Sequence, residues 1–136
     1  MSVDRARQLF LLVMGIGLVP VALSYGAAPE RSLPALYGLS EPDLTTRHLF
    51  RAIMGLYLGM IAFWLAGALR PRMRIAALWS VFVFVTGIAS GRGLSLAMDG
   101  WPGPLLIFYL IAEIVLALTA LGLILRGPGR KCGAAV

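Results

Sequence analysis

Arg51, Arg92, Ser95, Asp99, Tyr109 and Glu113 are polar residues that lie in or at the ends of apolar segments, where a polar side chain has to be explained. Glu113 is the most demanding. It sits in PLLIFYLIAEIVLALTALGLIL, a run from Pro104 to Leu125 with no other charge. Insertion scales put a carboxylate at the centre of a membrane helix at roughly 2.5–3.5 kcal/mol. Arg92, Ser95 and Asp99 fall at i, i+3 and i+7, so they share one helical face. At about 1.5 Å per residue, Arg92 lies ~9 Å from the end of its segment and Glu113 ~12 Å from the facing end of the next. Antiparallel neighbours would bring the two to similar depths, and the long arginine stem absorbs the difference. Charge neutralisation therefore predicts an Arg92–Glu113 pair. Tyr109 precedes Glu113 by one turn, and Arg51 enters its own segment from the same side. Together they predict a polar cluster inside the bundle that opens outward. Such a cluster suits ligand binding, proton transfer at Glu113, or a lock on helix register.

The elements that must position these residues are four apolar runs, from Gln8 to Gly26, Leu49 to Leu69, Ile75 to Met98 and Pro104 to Leu125. Each is near the ~20 residues a helix needs to cross a bilayer. The 136 residues are 60% hydrophobic and 13% charged, with a mean hydropathy of +0.88, which excludes an ordinary soluble domain. The fold class read from this pattern is all-α, a single transmembrane domain over residues 1–136 built as a four-helix bundle. Short links at Arg70 to Arg74 and Asp99 to Gly103 make the last three spans antiparallel neighbours. Two small-residue rows, Gly55 with Gly59 and Gly87 with Gly91, are candidates for close helix packing.

The net charge of +6 does not point to nucleic acid, because the basic residues cluster at the ends of the runs. Arg5, Arg7, Arg70, Arg72, Arg74, Arg126, Arg130 and Lys131 fall on one side, and only Arg31 and Arg47 on the other. The positive-inside regularity then predicts both termini in the cytoplasm and the long loop from Ala27 to His48 outside. In that loop, Leu33 to Tyr37 is expected as a short interfacial helix, and Asp43, Thr45 and Thr46 supply cap-type residues. Tyr37 and Trp101 are expected in the outer aromatic belt and Trp79 in the inner one. Pro20, with Gly15 and Gly17, marks a possible kink in the first span.

Other chemistry is thinly represented. His48 is the only histidine and Cys132 the only cysteine, so no metal site, disulfide or paired-thiol motif is expected. There is no phosphate-binding loop, dinucleotide fingerprint, HExxH or GxSxG string. No cofactor and no catalytic residue is assigned.

Three strings carry a resemblance. They are Arg51-Ala-Ile-Met-Gly-Leu-Tyr-Leu-Gly59, then Gly91-Arg-Gly-Leu-Ser95 followed by Asp99-Gly-Trp-Pro102, then Glu113. From about Gln8 to Leu125 the chain resembles the bacterial membrane family called domain of unknown function 4345. That resemblance implies a four-helix integral membrane protein and no particular activity. It also implies that Arg51, Arg92, Asp99 and Glu113 belong together.

The reading that follows is a small bacterial inner-membrane protein, multi-pass, without enzymatic activity, with an accessory or ligand-binding role. Its expected partners are membrane lipids and either a membrane-protein partner or further copies of itself. The alternatives are an oligomeric proton-coupled or anion transporter, and a lipid-modifying enzyme with Glu113 as acid and base.

Overall fold

A computed structural model describes Ser2 to Arg126, so Arg130, Lys131 and Cys132 lie outside the described residues. Six α-helices follow in order: α1 (Val3–Gly17), α2 (Val19–Gly26), α3 (Pro29–Tyr37), α4 (Leu44–Leu69), α5 (Arg74–Asp99) and α6 (Pro104–Leu125). A 3-10 turn, Pro71–Met73, joins α4 to α5, and no strand occurs among the described residues. Four helical segments are long and apolar enough to cross a membrane, with α1 and α2 together making the first. The chain is an all-α transmembrane bundle.

Local chemistry sets the helix ends. Ser2 caps α1 by accepting from the Arg5 N–H at 3.3 Å. The first span breaks at Leu18 because Pro20 has no N–H to offer the carbonyl one turn back. Pro29 opens α3, and Gly38 ends it at a φ of +65°, a conformation that favours glycine. Asp43 caps α4 by accepting from the Thr46 N–H at 2.8 Å. Hydrogen bonding from the Thr46 side chain and then from its backbone holds the Asp43 carboxyl below its ordinary range. These polar caps lengthen the helices past their apolar runs, so α4 starts at Leu44 and not at Leu49, and α1 at Val3 and not at Gln8.

The core is formed by Leu11 and Met14 of α1, Tyr57 and Trp64 of α4, and Leu78 and Val81 of α5, with smaller contributions from α2 and α6. Trp64 is fully buried and its indole N–H donates to Ser80 Oγ at 2.9 Å, which satisfies its one polar atom. Ile16, Val83 and Leu118 point outward, more than half exposed, as expected of a surface covered by acyl chains.

Dispersion and close approach, not water exclusion, drive helix packing in lipid. The glycines that serve it here are Gly15, Gly26 and Gly67. A Cβ at Gly26 would lie 2.9 Å from the Arg51 Cα, and one at Gly15 would lie 2.6 Å from Leu65 Cδ2. The expected rows behave differently. A Cβ at Gly55, Gly59, Gly87 or Gly91 would meet nothing within 4 Å, and all four residues are exposed. Spacing placed each pair on one face, but that face turns away from the bundle.

Two arginines fasten the end of the bundle opposite α3. Arg7 donates through Nε to the Leu123 carbonyl at 3.0 Å and through Nη2 to the Arg126 carbonyl. Arg74 pairs with Asp4 and donates to the Ala68 carbonyl at 2.8 Å. Both are buried, and both satisfy carbonyls that a helix C-terminus leaves without partners. They tie α1 to the last turns of α4 and α6.

Candidate functional site

Helix adjacency creates an opening at the other end. α4 packs on α1 and α2, α5 packs on α4, and α6 packs on α5. α1 reaches α6, but α2 and α6 do not pack against each other. The row of helices is thus closed near Arg7 and open near α3. A cavity of about 170 Å³ fills the gap. Leu18 and Val21 form one side, and Phe108, Ala112 and Leu116 the other. Tyr57, Phe84, Val85 and Ile88 floor it from α4 and α5.

The lining is mostly apolar, with polar groups gathered in one wall that includes Arg92, Tyr109 and Glu113. Arg92 Nε donates to Glu113 Oε1 at 3.1 Å. The side chains are only 19% and 13% exposed, so this ion pair is largely withdrawn from solvent. Arg92 Nη2 also reaches the Tyr25 hydroxyl, at 3.5 Å. The guanidinium carbon lies 5.6 Å from the centre of the Tyr109 ring, a cation–π distance. Glu113 Oε2 is buried and has no hydrogen-bond partner among the described residues.

Aromatic rings buttress this wall. Tyr25 stacks on Tyr37 at 5.7 Å with an interplanar angle of 13°, and meets Tyr57 edge-on at 5.4 Å. Tyr57 meets Phe84 edge-on at 5.1 Å, and Phe84 meets Trp64 at 5.6 Å. Tyr37 also shares a hydrogen bond of 3.1 Å with Ser24 Oγ. Tyr37 thus packs over this cluster and holds α3 against α2. Neither Tyr25 nor Tyr57 was among the residues expected in the cluster. Their one signal was a hydroxyl inside or at the end of an apolar run.

The remaining expected members lie elsewhere. Arg51 is exposed and contributes its backbone to the Gly26 contact, not its guanidinium to the pair. Ser95 and Asp99 are exposed, and Ser95 Oγ donates to Asp99 Oδ2 at 2.8 Å within the last turn of α5. Ser95 does line a smaller cavity of about 80 Å³ beside Arg92, between α5 and α6. His48 is exposed near the start of α4. No cluster of metal-ligating side chains occurs among the described residues.

The comparison with known families matches residues 6–124 to domain of unknown function (DUF4345). The chain belongs to that family. No curated protein and no solved structure matches it. The DUF4345 match reaches into all four helical segments and includes Arg92, Tyr109 and Glu113.

Proposed function

We propose that this DUF4345 chain is a non-enzymatic ligand-binding protein of a bacterial inner membrane, and that it holds a small lipophilic molecule in the cavity between α2 and α6. The observation that carries the reading is a mostly apolar cavity with a buried, incompletely bonded carboxylate in its wall. Pockets for small molecules combine an apolar lining with a few converging polar groups in this way. An apolar cavity of about 150 Å³ already holds benzene, so the volume suits a body of that size or an alkyl chain end. The gap beside α2 supports entry sideways from the bilayer. The charge asymmetry of the loops supports cytoplasmic termini, which would set the cavity in the half of the membrane away from the cytoplasm. The bacterial inner membrane is supported by that asymmetry and by the family resemblance. Lipid would cover the exposed apolar side chains.

Proton carriage and acid–base catalysis on a lipid both draw on Glu113. Binding is favoured over them because the Glu113 charge is already neutralised by Arg92. Native mass spectrometry of the purified protein tests the reading. Wild type is expected to carry an adduct of small-molecule mass, and Ala112→Trp, which fills the cavity, to have lost it at unchanged helicity. An adduct that survives Ala112→Trp would contradict the assigned site.

A further inference from the structure

We propose that the membrane-facing groove between α5 and α6 is a second site, which holds one acyl chain of a glycerolipid while the ester carbonyl of that chain accepts a hydrogen bond from the Arg92 guanidinium. The groove lies across α6 from the cavity beside α2. Phe108, Ala112 and Leu116 face that cavity, and Leu106, Leu110 and Ile114 face the groove. The two sites are independent of each other.

Arg92 supplies the polar end. It lines both the cavity of about 170 Å³ and the smaller one of about 80 Å³. Its Nε is taken by Glu113 Oε1 and its Nη2 reaches Tyr25, while Nη1 makes no hydrogen bond among the described residues. The buried side-chain atoms without a partner are Arg74 Nε, Thr86 Oγ1 and Glu113 Oε2, so Arg92 Nη1 keeps accessible surface. It is a charged donor with bonds still to give. The smaller cavity is otherwise lined by Leu96, Pro102, Leu106 and Ile107, and by Ser95, whose hydroxyl already donates to Asp99. A neutral acceptor suits this surrounding better than an anion does. Glu113 offsets the arginine's charge, and Asp99 adds a second carboxylate nearby. An anion would also give up its hydration among apolar side chains.

The helix surface supplies the apolar end. The smaller cavity shares Leu110 with an open groove of about 500 Å³ that continues along α5 and α6. Phe82, Ala89 and Gly93 line its α5 side, and Ile114, Ala117 and Leu121 its α6 side. From Arg92 to Phe82 the groove runs ~15 Å along α5. That is the depth of one leaflet, half of the ~30 Å of hydrocarbon in a bilayer. With 26 residues, α5 is ~39 Å long, close to the ~40–45 Å of a bilayer with its headgroups. Arg92 lies ~10 Å below the Asp99 end, so its guanidinium falls near the boundary between headgroups and hydrocarbon. Ester carbonyls join headgroup to chains, so they occupy that boundary. Bulk lipid is as apolar as the groove, and the chain alone earns little preference. The bond from a charged donor to the carbonyl provides it.

The test is a titration of the full chain in detergent micelles, read by native mass spectrometry. The probes are dioleoylphosphatidylcholine, its dioleyl ether analogue and oleate. The ester lipid is expected to bind about tenfold or more tighter than the ether, which lacks only the carbonyls, and tighter than oleate. Its mass separates this adduct from the smaller one assigned to the cavity beside α2. Gly93→Leu places a side chain in the groove where a Cβ meets nothing within 4 Å, so the fold is expected to persist and ester affinity to fall about tenfold. Gly91→Leu, equally open but lining neither groove nor cavity, should leave that affinity unchanged, and so should Ala112→Trp. The double variant Arg92→Leu with Glu113→Leu is expected to bind ester and ether alike. Equal binding of the two lipids by wild type would overturn the bond to Arg92. Oleate as the tightest probe would overturn the neutral acceptor. Undiminished ester binding by Gly93→Leu would overturn the groove, as would loss of binding in Ala112→Trp. No saturable binding of any probe would overturn the site as a whole.

Discussion

Glu113→Leu, with Arg92 retained, is expected to lower the unfolding free energy by about 3 kcal/mol or more. Replacing both residues, Arg92→Leu with Glu113→Leu, should bring stability back to within about 1 kcal/mol of wild type. The reason is asymmetric. The pair is largely buried, so deleting one charge strands the other where lipid and packed side chains cannot solvate it. Removing both charges leaves apolar groups of similar volume among Ile88, Phe108 and Leu116, which already line the site. The Tyr25 hydroxyl loses one partner in the double variant, which explains an incomplete recovery. Thermal and denaturant unfolding in detergent read both values. If the single variant is as stable as wild type, Arg92 and Glu113 do not depend on each other in the folded bundle. If the double variant is as unstable as the single, the loss arises from packing and not from a stranded charge.

Gly26→Leu is expected to cost about 1–3 kcal/mol, whereas Gly55→Leu should stay within about 0.5 kcal/mol of wild type. A side chain at Gly26 runs into the Arg51 Cα and the Met54 Cβ, both at 2.9 Å, and backbone cannot swing aside as a side-chain tip can. The α2–α4 contact would have to open, and with it the edge-on contact of Tyr25 with Tyr57. Gly55 meets open space, so leucine there only adds surface toward lipid. The same unfolding measurements decide it. Equal losses at the two positions would mean that Gly55 also packs closely, against something beyond this chain.

The contrast between these glycines shows what one chain of letters reveals. The four spans were legible because an apolar run long enough for a bilayer has few other meanings. The Arg92–Glu113 contact was legible because short antiparallel links fix depth, and two opposite charges at one depth have an energetic reason to meet. Direction around the helix axis was not legible. Spacing puts Gly55 with Gly59, and Arg92 with Ser95 and Asp99, on a common face, but nothing in the spacing says which neighbour that face sees. Packing at distant positions decides it, as where Leu65 covers Gly15 and Ala77 covers Gly67. Ser95 and Asp99 therefore bond each other at the helix end while Arg92 turns inward to Glu113. Arg7 and Arg74 read as orientation charges, yet they are buried on helix carbonyls that no local pattern announces. Tyr25 escaped for the same reason, since its partner Arg92 is 67 residues away.

Binding in the gap between α2 and α6, beside Glu113, is what Ala112→Trp should weaken. Titration of wild type and of Ala112→Trp with 4-propylphenol tests it most directly, with circular dichroism to confirm equal helicity. Saturable binding to a single site is expected in wild type, with affinity at least about tenfold weaker when the indole occupies the cavity. Equal affinity in the two proteins would contradict it.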